Sequence, residues 1–177
     1  MQTVNIDCIL QVILVALEAV SGARKRRSGC PVSVSLEILG DRWSLLIVRD
    51  LMVRGFRTFK DFRGSGEGIA TNILADRLQR LTSAGIVVSE VEETDARRVT
   101  YRLTEKGIDL APVLLALLLW AAKYEKTGLP LGLIEQMEAH PEDFLAEVRR
   151  RWREDDRTPL FPVPGAKTTT TEKERSK

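Results

Sequence analysis

Apolar residues recur at spacings of three and four through residues 69–84 (IATNILADRLQRLTSA), where Ile69, Ile73, Leu74, Leu78 and Leu81 fall on one side. That period predicts an amphipathic helix. Its other side carries Thr71, Asn72, Asp76, Arg77, Gln79 and Arg80. Gly85 stops the helix as a glycine just past the last turn does, and the period then changes to two. IVVSEV (86–91) reads as a strand, 93–96 as a turn, and 98–103 as a second strand in which Val99, Tyr101 and Leu103 alternate with Arg98, Thr100 and Arg102. Such alternation predicts a half-buried antiparallel hairpin, with Arg97 and Arg98 at its tip.

Upstream, residues 41–53 place Trp43, Leu46, Ile47 and Leu51 on one helical face and end before Gly55. Thr58 then caps a short helix carrying Phe59 and Phe62, with Asp61 at the third helical position to complete a capping box. Downstream, Thr104 caps a helix that runs to about Lys126, and Pro112, lacking an amide donor, bends it near Ile108. From Pro112 the sequence PVLLALLLWAA is apolar all round. One small domain supplies too little cover for such a helix, so a second subunit is the simplest source. Leu114, Leu115, Leu117, Leu118, Trp120 and Ala121 are the expected dimer interface, a central core helix in a monomer is the alternative, and the run alone is too short for a bilayer. Residues 131–140 and 142–153 read as two further helices, the second with Phe144, Leu145, Val148 and Trp152 on one side. They either brace the dimer, the plainer reading, or shape a ligand pocket. After Pro164 the tail lacks apolar residues and is expected to be disordered.

The fold class is therefore α+β: a winged helix-turn-helix with a long apolar dimerisation helix and extra terminal helices. The expected organisation is an N-terminal segment (1–23), a DNA-binding domain with its dimer helix (24–127), a helical extension (128–163) and a tail (164–177). Helix, helix, recognition helix and wing suit double-stranded DNA. Asn72 can bond an adenine edge, Thr71 or Ala75 can touch a thymine methyl, and Arg77 and Arg80 can reach phosphates. Arg97 and Arg98 suit phosphates or the minor groove. Arg57, Thr58, Lys60, Ala70 and Asp76 complete the expected DNA-facing set, in a segment where Arg42, Arg49, Arg54 and Arg63 add positive charge. Although the net charge is only +2, residues 24–126 hold 18 Lys or Arg against 13 Asp or Glu. The basic bias sits in the DNA-binding segment.

Other chemistry finds little support. Cys8 and Cys30 form no C-x-x-C pair, so neither a disulfide framework nor a zinc site is indicated, and a reducing cytoplasm is the expected compartment. His140, next to Pro141, has no second ligand at metal spacing. Gly64, Gly66 and Gly68 follow no strand and read as a turn, not a phosphate loop. No cofactor and no enzyme activity are expected. The apolar run 6–20 is followed, not preceded, by RKRR (24–27), against a signal peptide, and Asp7, Gln11 and Glu18 interrupt it. It fits a helix packing on the dimer, a start assigned too early, or membrane association.

Together GCPVSVSLEILGDRWSLLIVRDL, FRTFKDF, GIATNILADRLQRL, AGIV and RVTYRLTEKG resemble the HxlR-type winged helix-turn-helix regulators, relatives of the MarR group, across residues 30–126. The resemblance implies a small homodimeric transcription factor whose apolar helix pairs with its counterpart. It also implies, for several members, a response to oxidants or electrophiles through a cysteine that Cys30 matches. This chain departs from the pattern at Ala70, where a serine is usual, and in a wing turn without the frequent proline. Cys30 precedes Pro31, a residue favoured at a helix start, so unpaired amides and the helix dipole would favour its thiolate. A small inert cysteine is the alternative. The expected function is binding of a pseudo-palindromic operator, modulated by an oxidant or electrophile. The alternative is a winged-helix module for protein interaction or small-molecule sensing.

Overall fold

The computed structural model describes residues 28–92 and 95–161, with residues 92 and 95–98 described by backbone alone. The expectations placed on residues 1–27, among them Cys8 and the RKRR run, and on the tail after Pro164 lie outside the described residues. The chain divides after Glu37 into two units.

Helix α1 (Pro31–Leu39) opens with proline at its first position. In the unit from Ile38 onward, α2 (Ser44–Val53) follows a turn closed by Asp41, whose carboxylate accepts from the amides of Trp43 (2.8 Å) and Ser44 (3.0 Å) and from the Ser44 hydroxyl. Helix α3 (Phe59–Arg63) has the expected capping box: the Thr58 hydroxyl accepts from the Asp61 amide, and the Asp61 carboxylate from the Thr58 amide. Helix α4 (Thr71–Ser83) begins at Ala70 with no side-chain cap, at the position where the resemblance implies a serine. It ends in a Schellman motif: Gly85, at φ +68°, donates to the Thr82 carbonyl and Ile86 to that of Leu81.

Strands β1 (Val87–Glu92) and β2 (Asp95–Leu103) pair antiparallel from Val87↔Leu103 to Val91↔Val99. The register then shifts to Glu92↔Asp95. The hairpin is thus longer than the sequence suggests, and 95–96 belong to β2 rather than to a turn over 93–96. Arg97 and Arg98 lie within the strand, at the shift, instead of at a tip. An isolated bridge between Thr58 and Thr100 adds a third contact to this small sheet.

The helix expected from Thr104 to Lys126 is two helices, α5 (Glu105–Ile108) and α6 (Ala111–Tyr124), and Pro112 occupies the first turn of α6, where its missing donor costs nothing. Glu105–Tyr124 together spans 20 residues and is by length and composition apolar enough to cross a bilayer, whereas the apolar run from Pro112 alone is shorter. Gly107, Ile108, Ala111 and Leu115 are nevertheless buried in the protein's own fold.

Helices α7 (Leu131–Ala139) and α8 (Pro141–Glu154) complete the order. The core joins Ile47, Val48 and Leu51 of α2, Phe62 of α3, Leu74, Leu78 and Leu81 of α4, Leu103 of β2 and Val148 of α8. Each large aliphatic side chain buried there contributes roughly 1.5 to 3 kcal/mol. Phe144, Leu145 and Trp152 pack on the same core. The extension therefore packs on the core that the preceding helices and the hairpin share. The opening between α2, β2 and α8 holds about one water molecule, far below the ~300 Å³ of a small ligand pocket.

Candidate nucleic-acid interface

Burial of Leu74, Leu78 and Leu81 fixes the rotation of α4 and turns Thr71, Asn72, Ala75 and Gln79 to solvent. These four share one stripe along the helix, and Ala70 is exposed at its start. Gln79 was not among the expected contacts, although its place on the polar face was visible. Asp76 accepts an ion pair from Arg80 at 3.0 Å, one turn on, and the two side chains are about half exposed. Lys106 holds the far end of α4, donating from Nζ to the Ala84 carbonyl at 2.7 Å.

Two expected contacts are corrected. Arg57 is 8% exposed, and its Nη1 donates to the carbonyls of Leu51 and Phe56, each at 2.8 Å. Burial lowers its pKa, against the pull of Asp155. A guanidinium so enclosed is a structural pin, not a phosphate contact. Arg77 is directed to Asp41 (3.3 Å) and Asp76 (3.4 Å), which ties α4 to the turn before α2. Thr58 is committed to its cap, whereas Lys60 is exposed. The side chains of Arg97 and Arg98 lie outside the described residues.

The positive face is also smaller than composition suggests. Arg49 and Arg54 converge on Asp50 (2.7 and 3.2 Å) and on Glu67 (3.0 and 3.8 Å). Asp50 is buried, and burial pushes its pKa up although Arg49 and Arg54 pull it down. Arg42, Lys60 and Arg63 are exposed.

On α6, the expected interface residues separate. Leu115 is only 4% exposed and belongs to the protein's own core, a correction to its assignment as an interface residue. Leu114, Leu118 and Ala121 are half-buried. Leu117 and Trp120 are exposed, and with Val113 and Tyr124 they form a stripe at spacings of four, three and four.

Cys30 is exposed at the start of α1. The backbone amides of Ser33 and Val32 lower its thiol pKa below the usual 9.0. Among the described residues no group of His, Cys, Asp and Glu is placed to hold a metal.

A two-helix unit, an exposed polar helix and a β-hairpin in this order define a winged helix-turn-helix protein. Residues 38–128 match the HxlR-like helix-turn-helix family, and the chain belongs to it. The chain is 34% identical over 97 residues to the HTH-type transcriptional regulator YdeP of Bacillus subtilis, covering 55% of this chain and 75% of YdeP. The solved structure of PA1607, a candidate transcription factor, is 39% identical, with a TM-score of 0.54 over 59% of this chain and 72% of that one. The redox regulator HypR in its oxidized form is 28% identical, with a TM-score of 0.50 over 55% of this chain and all of HypR. The protein is a helix-turn-helix transcriptional regulator.

Proposed function

We propose that this regulator acts as a homodimer on a pseudo-palindromic operator, with one α4 in each of two major grooves about one helical turn apart. The observation that carries the reading is the exposed stripe of Thr71, Asn72 and Ala75 at the start of α4, beside a hairpin with two arginines. Short polar and methyl groups at the N-terminal end of a recognition helix are what base edges require. Residues 24–127 form the DNA-binding and dimerising unit, 128–163 brace it, and two copies meet through Val113, Leu117, Trp120 and Tyr124.

Cys30 gives the dimer its effector response. Its thiolate reacts with an oxidant or electrophile; on a quinone it would bond a ring carbon while the displaced π electrons pass to the carbonyl oxygen, which takes a proton from water, and the modified thiol changes operator affinity. Likeness to the redox regulator HypR and the lowered thiol pKa support this part. The site of action is the cytoplasm, where the chromosome of a bacterial cell lies.

Selection of bound fragments from random duplexes tests the reading. An inverted repeat with half-sites about one turn apart is expected. Recovery of fragments with no shared sequence leaves only a non-specific binder.

A further inference from the structure

The family match ends at residue 128, yet the extension reaches back to the hairpin base through Trp152 and Asp155. Asp155, which ends α8, has φ 50°, the left-handed region, and is the only non-glycine with positive φ among the described residues. The reversal sends the following segment across the end of α2. There the Leu160 amide donates to the Val53 carbonyl at 2.7 Å, and a β-carbon at Gly55 would lie 1.8 Å from the Arg157 carbonyl oxygen.

The Asp155 carboxylate faces Arg157 Nη2 at 2.9 Å, Arg102 Nε at 3.5 Å and Arg57 Nε at 3.6 Å. Each of the last two controls β2. The Arg57 carbonyl accepts from the Tyr101 amide at 2.8 Å, next to the Thr58–Thr100 bridge. Arg102 donates to the Trp152 carbonyl at 3.3 Å, while the Trp152 indole donates to the Leu103 carbonyl at 2.7 Å. A two-stranded hairpin is marginal alone, so these attachments set where the wing stands. Arg57 Nε and Asp155 Oδ1, both buried, stand 3.6 Å apart and have no hydrogen-bond partner among the described residues, so what joins them is mainly charge.

We propose that residues 152–160 latch the base of the wing, with Asp155 and Arg57 as positioning residues for the DNA-binding hairpin. The proposal rests on the DNA-binding reading for its consequence, not for its geometry. The test uses the full chain with Asp155→Asn, because asparagine also accepts the left-handed region and removes only the charge. Hydrogen exchange at the Tyr101 amide is expected to quicken about tenfold, with Leu74 and Leu78 amides unchanged, and duplex affinity to fall about tenfold. Trp152→Phe keeps an aromatic, though smaller, side chain on the core, removes the donor to Leu103, and is expected to act in the same direction. It decides the matter should Asp155→Asn fail to fold. Unchanged exchange at Tyr101, uniform acceleration throughout the domain, or a loosened hairpin with full affinity would each overturn the latch. A parent that binds no duplex would end the DNA-binding reading instead, and exchange at Tyr101 would still decide the latch.

Discussion

Gly107 of α5 lies against the Ile86 carbonyl so closely that a β-carbon there would stand 2.2 Å from the oxygen. The contact joins the helix after the wing to the residue before it, and the Thr104 hydroxyl strengthens it by donating to the Gly85 carbonyl at 2.6 Å. Gly107→Ala must therefore push α5 away from the hairpin base. A loss of about 1 to 3 kcal/mol is expected in urea unfolding. Gly128→Ala, with no atom within 4 Å of the added carbon, is the control and is expected to stay within about 0.5 kcal/mol.

The two faces of α6 predict opposite outcomes for the same substitution. Leu117→Asp places a charge on the exposed stripe and is expected to leave a folded monomer, whereas the parent is expected to sediment as a dimer. Leu115→Asp places it in the core and is expected to unfold the chain, at a cost of several kcal/mol. A parent that remains monomeric at micromolar concentration removes the interface.

Cys30 predicts a pH profile. The amides of Ser33 and Val32 favour the thiolate, so the folded pKa lies below 9.0 and reactivity persists as pH falls toward that lower value. Alkylation by iodoacetamide is expected to show its midpoint below that of the denatured chain, and Cys30→Ser to lose the reaction. Equal midpoints in folded and denatured protein would leave Cys30 an ordinary thiol.

The sequence shows what is decided locally. The face of α4, the Thr58–Asp61 box and the Gly85 stop each depend on residues within about one turn of one another, and all three stand as read. What it hides depends on partners far along the chain. Arg57 looked like a surface cation because Asp155, and the carbonyls that enclose it, belong to a fold that composition does not reveal. Arg77 sits at the correct period for the polar face, but Asp41 reaches it first. Leu115 and Leu117 are identical in an all-apolar helix, and only the packing of α2, α7 and α8 on α6 tells which is covered.

Base readout by α4 is the central claim, and titrations of Asn72→Ala on operator and on scrambled duplex at several salt concentrations test it most directly. Asn72 is exposed on the polar stripe of α4, so on this reading its loss is expected to cost about 1 to 3 kcal/mol on the operator alone. Arg98→Ala, run beside it, is expected to weaken both duplexes and to reduce the salt slope by about 0.9 per lost phosphate contact. An Asn72→Ala protein that loses equal affinity on both duplexes, or none on either, would contradict the account.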